Sequence, residues 1–94
     1  MRLLIDGMLS GTGIRDRTNG GYIDPKALAL SPPLVDDLRI WLSQYEDAHY
    51  AGFGDAEVVS ALDLRGVALA RRVAMERADD EVGYFSNAHL KEPE

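Results

Sequence analysis

The chain has 94 residues, 46% of them apolar and 28% charged, with a formal net charge of −6 and no cysteine. That length suits one domain with one modest core, and the composition excludes a chain too polar to collapse. The acidity argues against direct binding to nucleic acid or an anionic membrane, which needs lysine and arginine against phosphates.

Without cysteine there are no disulfides, no thiol chemistry and no thiolate zinc site. No apolar stretch approaches the roughly 18 residues of a membrane span, so a cytoplasmic protein is expected. The negative charge is concentrated: residues 32–50 sum to −3 and residues 79–94 to −4, whereas the rest is close to neutral. A basic protein surface is the natural complement of such a distribution.

In chain order, Leu3, Leu4 and Ile5 form a short apolar run before Gly7 that predicts a buried strand, and the glycines from Gly7 to Gly13 predict a bend. Partial alternation from Thr12 to Thr18, the pair Asn19-Gly20 and then Gly21 to Pro25 predict a hairpin around a type I′ turn, its second strand ended by Pro25. Lys26 to Leu30 is read as an irregular connection. Ser31 followed by Pro32 predicts an N-cap with proline just inside a helix over 32–50, and Gly52 and Gly54 are its stop signals. On that helix Leu34, Leu38, Trp41, Leu42, Tyr45 and His49 share one face, while Asp36, Asp37, Glu46 and Asp47 fall elsewhere.

Asp55 is a second predicted N-cap, for a helix over 56–78 with an apolar stripe of Val58, Leu62, Gly66, Leu69 and Val73, supported by Val59, Ala70 and Ala74. Gly66 marks either a close approach to the first helix or tolerated slack. Residues 82–86 predict a last strand able to pair beside the N-terminal one, and residues 89–94 a loose tail. The expected architecture is a single α+β domain, a small mostly antiparallel sheet with two antiparallel helices on one face.

No segment carries a catalytic signature of comparable strength. The Gly7 to Gly13 stretch around Ser10 has neither the glycine spacing of a nucleophile elbow nor the ending of a phosphate loop, and it is read as a turn. An enzymatic reading rests only on Ser10 and the two histidines, His49 and His89, and a metal site would need both histidines plus remote carboxylates. No catalytic residue, cofactor or metal is therefore assigned. Adjacent acids on a helix diverge by about 100° per step, so Asp36-Asp37 and Glu46-Asp47 suit a solvated or partner-facing surface better than an acid–base pair.

The candidate partner-binding residues are Asp36, Asp37, Trp41, Tyr45, Glu46, Asp47, Tyr50, Phe53 and Asp55, with Trp41 and Tyr45 open between core and interface. If the interface lies elsewhere, Asp79, Asp80 and Glu81 or the hairpin tip are the next choices.

Gly11-Thr12-Gly13-Ile14-Arg15-Asp16, Gly20-Gly21-Tyr22-Ile23-Asp24-Pro25, Leu30-Ser31-Pro32-Pro33-Leu34, Trp41-Leu42-Ser43-Gln44-Tyr45-Glu46, Gly52-Phe53 and Tyr84-Phe85-Ser86 together give a pattern that spans nearly the whole chain. It resembles small bacterial immunity proteins, the antitoxin partners of polymorphic and contact-dependent growth inhibition toxins. The resemblance implies a cytosolic protein, a monomer within a heterodimer, that binds the toxin domain of a cognate effector, often a nuclease, and occludes its active site or substrate groove. It assigns no individual binding residue. The alternative is an acidic adaptor or regulatory binding protein of another bacterial complex.

Overall fold

The structure is a computed structural model that describes residues 1–90. Strand β1 (Arg2–Asp6) and strand β2 (Ile14–Asp16) are followed by a short 3-10 helix (Pro25–Leu28), helix α1 (Pro32–Tyr50), helix α2 (Ala56–Glu76) and strand β3 (Glu81–Phe85). The α+β class holds, with β1 at the centre of a three-stranded sheet of order β2-β1-β3.

The sheet is mixed rather than mostly antiparallel. β2 pairs antiparallel with β1 over Leu3↔Asp16 to Ile5↔Ile14, whereas β3 pairs parallel with β1 from Arg2↔Glu81 to Asp6↔Phe85. The reason lies in the helices. Contacts between Gln44 and Arg65, Asp37 and Arg72, and Ser31 and Glu76 show that α1 and α2 run antiparallel, so the end of α2 returns to the start of α1. There Asp80 meets the N-terminal ammonium group at 3.2 Å and the Glu81 N–H donates to the Met1 carbonyl at 3.1 Å. β3 therefore begins where β1 begins and runs the same way.

The hairpin is shorter than expected. Its second arm is reduced to a single bridge, Arg15↔Tyr22. The turn is organised by Asp16, whose carboxylate accepts the Thr18 and Asn19 N–H groups at 2.8 and 3.1 Å, and the positive φ values fall on Gly20 and Gly21 rather than on Asn19 and Gly20. This Asx arrangement displaces the type I′ turn. Pro25 does end the extended segment, and Asp24 then caps the 3-10 helix through the Lys26 N–H. The connection from Lys26 to Leu30, expected to be irregular, is thus partly helical.

Asp55 caps α2, accepting from the Glu57 and Val58 N–H groups. Ser31 precedes α1 but makes no side-chain cap: Pro33 at N2 has no N–H to donate, and the Ser31 hydroxyl is turned onto the Glu76 carboxylate at 2.6 Å, which also accepts the Ser31 N–H at 2.6 Å. A charged acceptor from the far end of α2 outcompetes a neutral cap. The end of α1 is a Schellman closure: the Gly52 N–H donates to the His49 carbonyl, the Phe53 N–H to the Ala48 carbonyl, and Gly52 and Phe53 take φ values of 68° and 53°. α2 stops at Glu76, two residues short of expectation, and β3 lies one residue earlier than expected. Of the expected tail, His89 and Leu90 belong to a turn after β3, and 91–94 lie outside the described residues.

α2 lies against β1 and β3, and α1 packs along α2. Leu3, Ile5, Ile14, Leu34, Leu38, Trp41, Tyr45, Leu62, Leu69, Val73 and Tyr84 form one core. Trp41 is 0% exposed and donates its indole N–H to the Leu62 carbonyl at 2.9 Å. On α2 the buried stripe starts at Val59, not Val58. Gly66 is a point of close approach, but to β3: a Cβ built there would stand 2.1 Å from Tyr84 Cε1. No described helix is long and apolar enough to cross a membrane.

Candidate functional site

Two polar clusters fix the scaffold on which any site must sit. In the first, Asp63 of α2 gathers three hydroxyl groups: Tyr84 at 2.6 Å, Ser86 at 2.8 Å and Tyr45 at 3.0 Å. The Tyr45 oxygen in turn accepts the Ala88 N–H, so the segment after β3 is tied to α1 and α2 together. The Tyr84 hydroxyl is held far above the usual phenol range, by burial first and by its bond to Asp63 second.

In the second cluster, Asp6 at the end of β1 is 0% exposed and is compensated by Arg15 Nη2 at 3.0 Å and the Tyr22 hydroxyl at 3.1 Å. A buried carboxylate persists only when paired and hydrogen-bonded in this way. The Arg15 guanidinium also lies over the Tyr22 and Phe85 rings at 5.4 and 6.0 Å. With its carboxamide oxygen facing the β1–β2 loop, Asn87 accepts the Gly7 and Met8 N–H groups at 3.1 and 2.6 Å. A Cβ on Gly7 would meet the Tyr45 ring at 2.5 Å. Together these contacts tie the loops at the ends of β1 and β3 to each other and to the helices.

Neither cluster reproduces a nucleophilic relay. Ser86 donates to Asp63 rather than to a histidine, and His89 Nε2 lies 3.8 Å from the same carboxylate. Ser10, in the β1–β2 loop, is joined to neither histidine by a hydrogen bond among the described residues. His49 closes the apolar face of α1, with its ring 4.5 Å from Phe53. Among the described residues no group of three or more histidine or acidic side chains could hold a metal ion.

The nine candidate partner-binding residues divide into three groups. Trp41 and Tyr45 are both 0% exposed, which removes them as residues a partner can touch and settles them as core. The physical reason is that their polar atoms are satisfied inside, by the Leu62 carbonyl and by Asp63 and Ala88. Asp36 and Asp37 lie near the start of α1 and face different neighbours. Asp37 pairs with Arg72 of α2 at 2.6 Å, whereas Asp36 shares a depression with Lys26 and Pro32.

The remaining five gather at the other end of α1. Glu46, Asp47 and Tyr50 are on its last turns, with Tyr50 78% exposed, and Asp47, Phe53 and Asp55 line one depression between the end of α1 and the start of α2. Glu46 and Asp47 have no ion pair among the described residues.

A further surface went unread in the sequence. Leu64 and Met75 on α2 are 73% and 82% exposed, and with Ala61 and Ala68 they form a second apolar stripe about 20 Å long on the solvent side. Its spacing, offset from the buried stripe, was the available signal. Compared with protein-family models, with curated proteins and with solved structures, the chain matches none of them.

Proposed function

We propose that this chain is a cytoplasmic binding protein of the immunity type, which occupies the surface that a basic toxin domain, a nuclease above all, presents to its substrate. It acts by occlusion and not by chemistry of its own. The observation that carries this reading is the end of α1, where Glu46 and Asp47 are unpaired among the described residues beside a Tyr50 that is 78% exposed. Unneutralised carboxylates project a field that speeds encounter with a cationic surface, and an exposed aromatic next to them supplies an anchor. The net charge of −6 and the resemblance to immunity proteins support the same reading.

The test is complex formation with the toxin domain encoded immediately upstream. A stable complex whose association slows with added salt is the expected result, and no complex at low salt refutes the proposal. The exposed stripe of Leu64, Ala68 and Met75 favours a second reading, an acidic adaptor that docks another bacterial protein on α2. An upstream neighbour that is not a toxin, together with binding lost on Leu64→Glu, would select it.

A further inference from the structure

A depression of about 320 Å³ opens where α1 ends and α2 begins, at the small end of the volumes that ligand sites take. Its lining is mainly apolar, from Ala48, Ala51, Phe53, Val58 and Val59, and Gln44, Asp47 and Asp55 add the polar groups. The apolar lining is built rather than incidental. The Schellman closure holds Phe53 at a φ of 53° and turns its ring onto Tyr45 and His49, at 5.8 and 4.5 Å. Val58 stays 46% exposed on the first turn of α2.

The two carboxylates are equally uncommitted. Asp47 has no cation partner among the described residues, and Asp55 caps α2 through Oδ1 alone, leaving Oδ2 unused there. The end of α1 adds the negative pole of its dipole, while the Asp55 cap offsets the positive pole of α2.

An apolar lining beside two carboxylates fits a side chain that is hydrocarbon along its stem and cationic at its tip. We infer that this depression receives one lysine or arginine side chain of the partner, with its methylene stem on Phe53 and Val58 and its charged head between Asp47 and Asp55. The inference rests on the reading of the partner as a basic protein and adds to it the place of an anchor. Three other depressions already carry cations of this chain, the first of them Lys26 beside Asp36. The one lined by Asp37, Ile40, Arg65 and Arg72 already holds this chain's own arginines, and the one beside Asp80 is closed by Arg77 at 2.7 Å.

The experiment is a nuclear magnetic resonance titration of the isotope-labelled full chain with N-acetyl-arginine methylamide. N-acetyl-norleucine methylamide controls for the stem and guanidinium chloride for the charge. Saturable shifts of the Ala48, Phe53, Gly54 and Val58 amides, with higher affinity than either control, are expected. The double variant Asp47→Asn with Asp55→Ser, which keeps a capping hydroxyl, should abolish them without loss of helix signal. Shifts that never saturate, or that spread evenly over all exposed carboxylates, overturn the inference. Against the upstream-encoded toxin domain, the same double variant and Val58→Ser should each raise Kd by about tenfold, the scale of one interface anchor. A complex that forms but is indifferent to these variants overturns the anchor and leaves the immunity reading standing. Saturable arginine binding without any toxin complex does the reverse.

Discussion

Replacing Gly66 by alanine puts two effects of opposite sign in competition. In an open helix interior alanine is the better residue by about 1 kcal/mol, so slack at this position would make the variant more stable. Here the new Cβ would stand 2.1 Å from Tyr84 Cε1 and 2.5 Å from Cζ, where carbon atoms need about 3.5 to 4 Å, so the ring or the helix must move by more than an ångström. The ring has little room, since it packs edge-on to Trp41 at 5.9 Å and its hydroxyl donates to Asp63 at 2.6 Å. Overpacking costs about 1–3 kcal/mol, and loss of a bond to a charged acceptor about 1.5–3 kcal/mol. After the propensity gain, Gly66→Ala is expected to destabilise by roughly 1.5–5 kcal/mol. Urea unfolding followed by fluorescence of the buried Trp41 should show a lower midpoint at unchanged slope. In a double-mutant cycle with Tyr84→Leu, the loss should shrink, because the ring that blocks the Cβ is gone. A Gly66→Ala variant about 1 kcal/mol more stable than the parent would refute the reasoning.

Four other outcomes are expected. Asp63→Asn leaves one amide oxygen to serve three hydroxyl groups and should cost at least about 2 kcal/mol; an unchanged unfolding midpoint would show that the cluster is not a hub. Burial holds the Tyr84, Tyr45 and Tyr22 hydroxyls above the usual phenol range. Their stabilising effect is therefore whole below the unfolded-state value of about 10 and is lost as pH rises past it. In a Tyr50→Phe variant, which removes the exposed tyrosine and leaves these three, tyrosinate absorbance and loss of circular dichroism should then rise together, and absorbance without unfolding would contradict the assignment. At the other extreme, the Asn19 N–H, the Ser31 hydroxyl and the Arg77 guanidinium hold the Asp16, Glu76 and Asp80 carboxyls below their usual range. Stability from these groups is present above about pH 4 and should fall below it in an acid titration of the unfolding midpoint. Reversing Asp36, Glu46 and Asp47 to lysine should slow association with the toxin domain and leave melting nearly unchanged, whereas Leu38→Ala should cost about 2–5 kcal/mol. Unaltered association kinetics would move the interface away from α1.

Local signals in this chain were legible and distant ones were not. The 3.6-residue period of Leu34, Leu38, Trp41 and Tyr45 marks α1, and Asp55 marks the start of α2, because both depend on neighbours a few residues away. Ser31 carries the same cap signal, but its outcome was decided by Glu76, 45 positions on. The direction of β3 followed from where two helices deliver the chain, which no residue in Val82 to Ser86 encodes. At the site, the exposure of the acidic residues was readable from helix geometry, and the core role of Trp41 and Tyr45 was half readable. The meeting of Asp47, Phe53 and Asp55 was not, since it depends on how Gly52 and Phe53 turn the chain between the helices.

The parallel pairing of β1 with β3 has a consequence for the order in which the molecule assembles. Closing β1 on β2 brings together segments about eight residues apart, whereas closing β1 on β3 spans about 75, and the chain-entropy difference between two such loops is about 2 kcal/mol. The hairpin and the helix pair can each form from nearby contacts, but the central strand waits for its second neighbour until both helices have docked. β3 should thus be the last piece to join. In folding kinetics, substitutions at Val82 should alter mainly the unfolding rate, whereas substitutions at Ile14 or Leu62 should slow folding. The same strand also buries the phenol that presses on Gly66, so one late event seals the sheet edge and locks the helix against it.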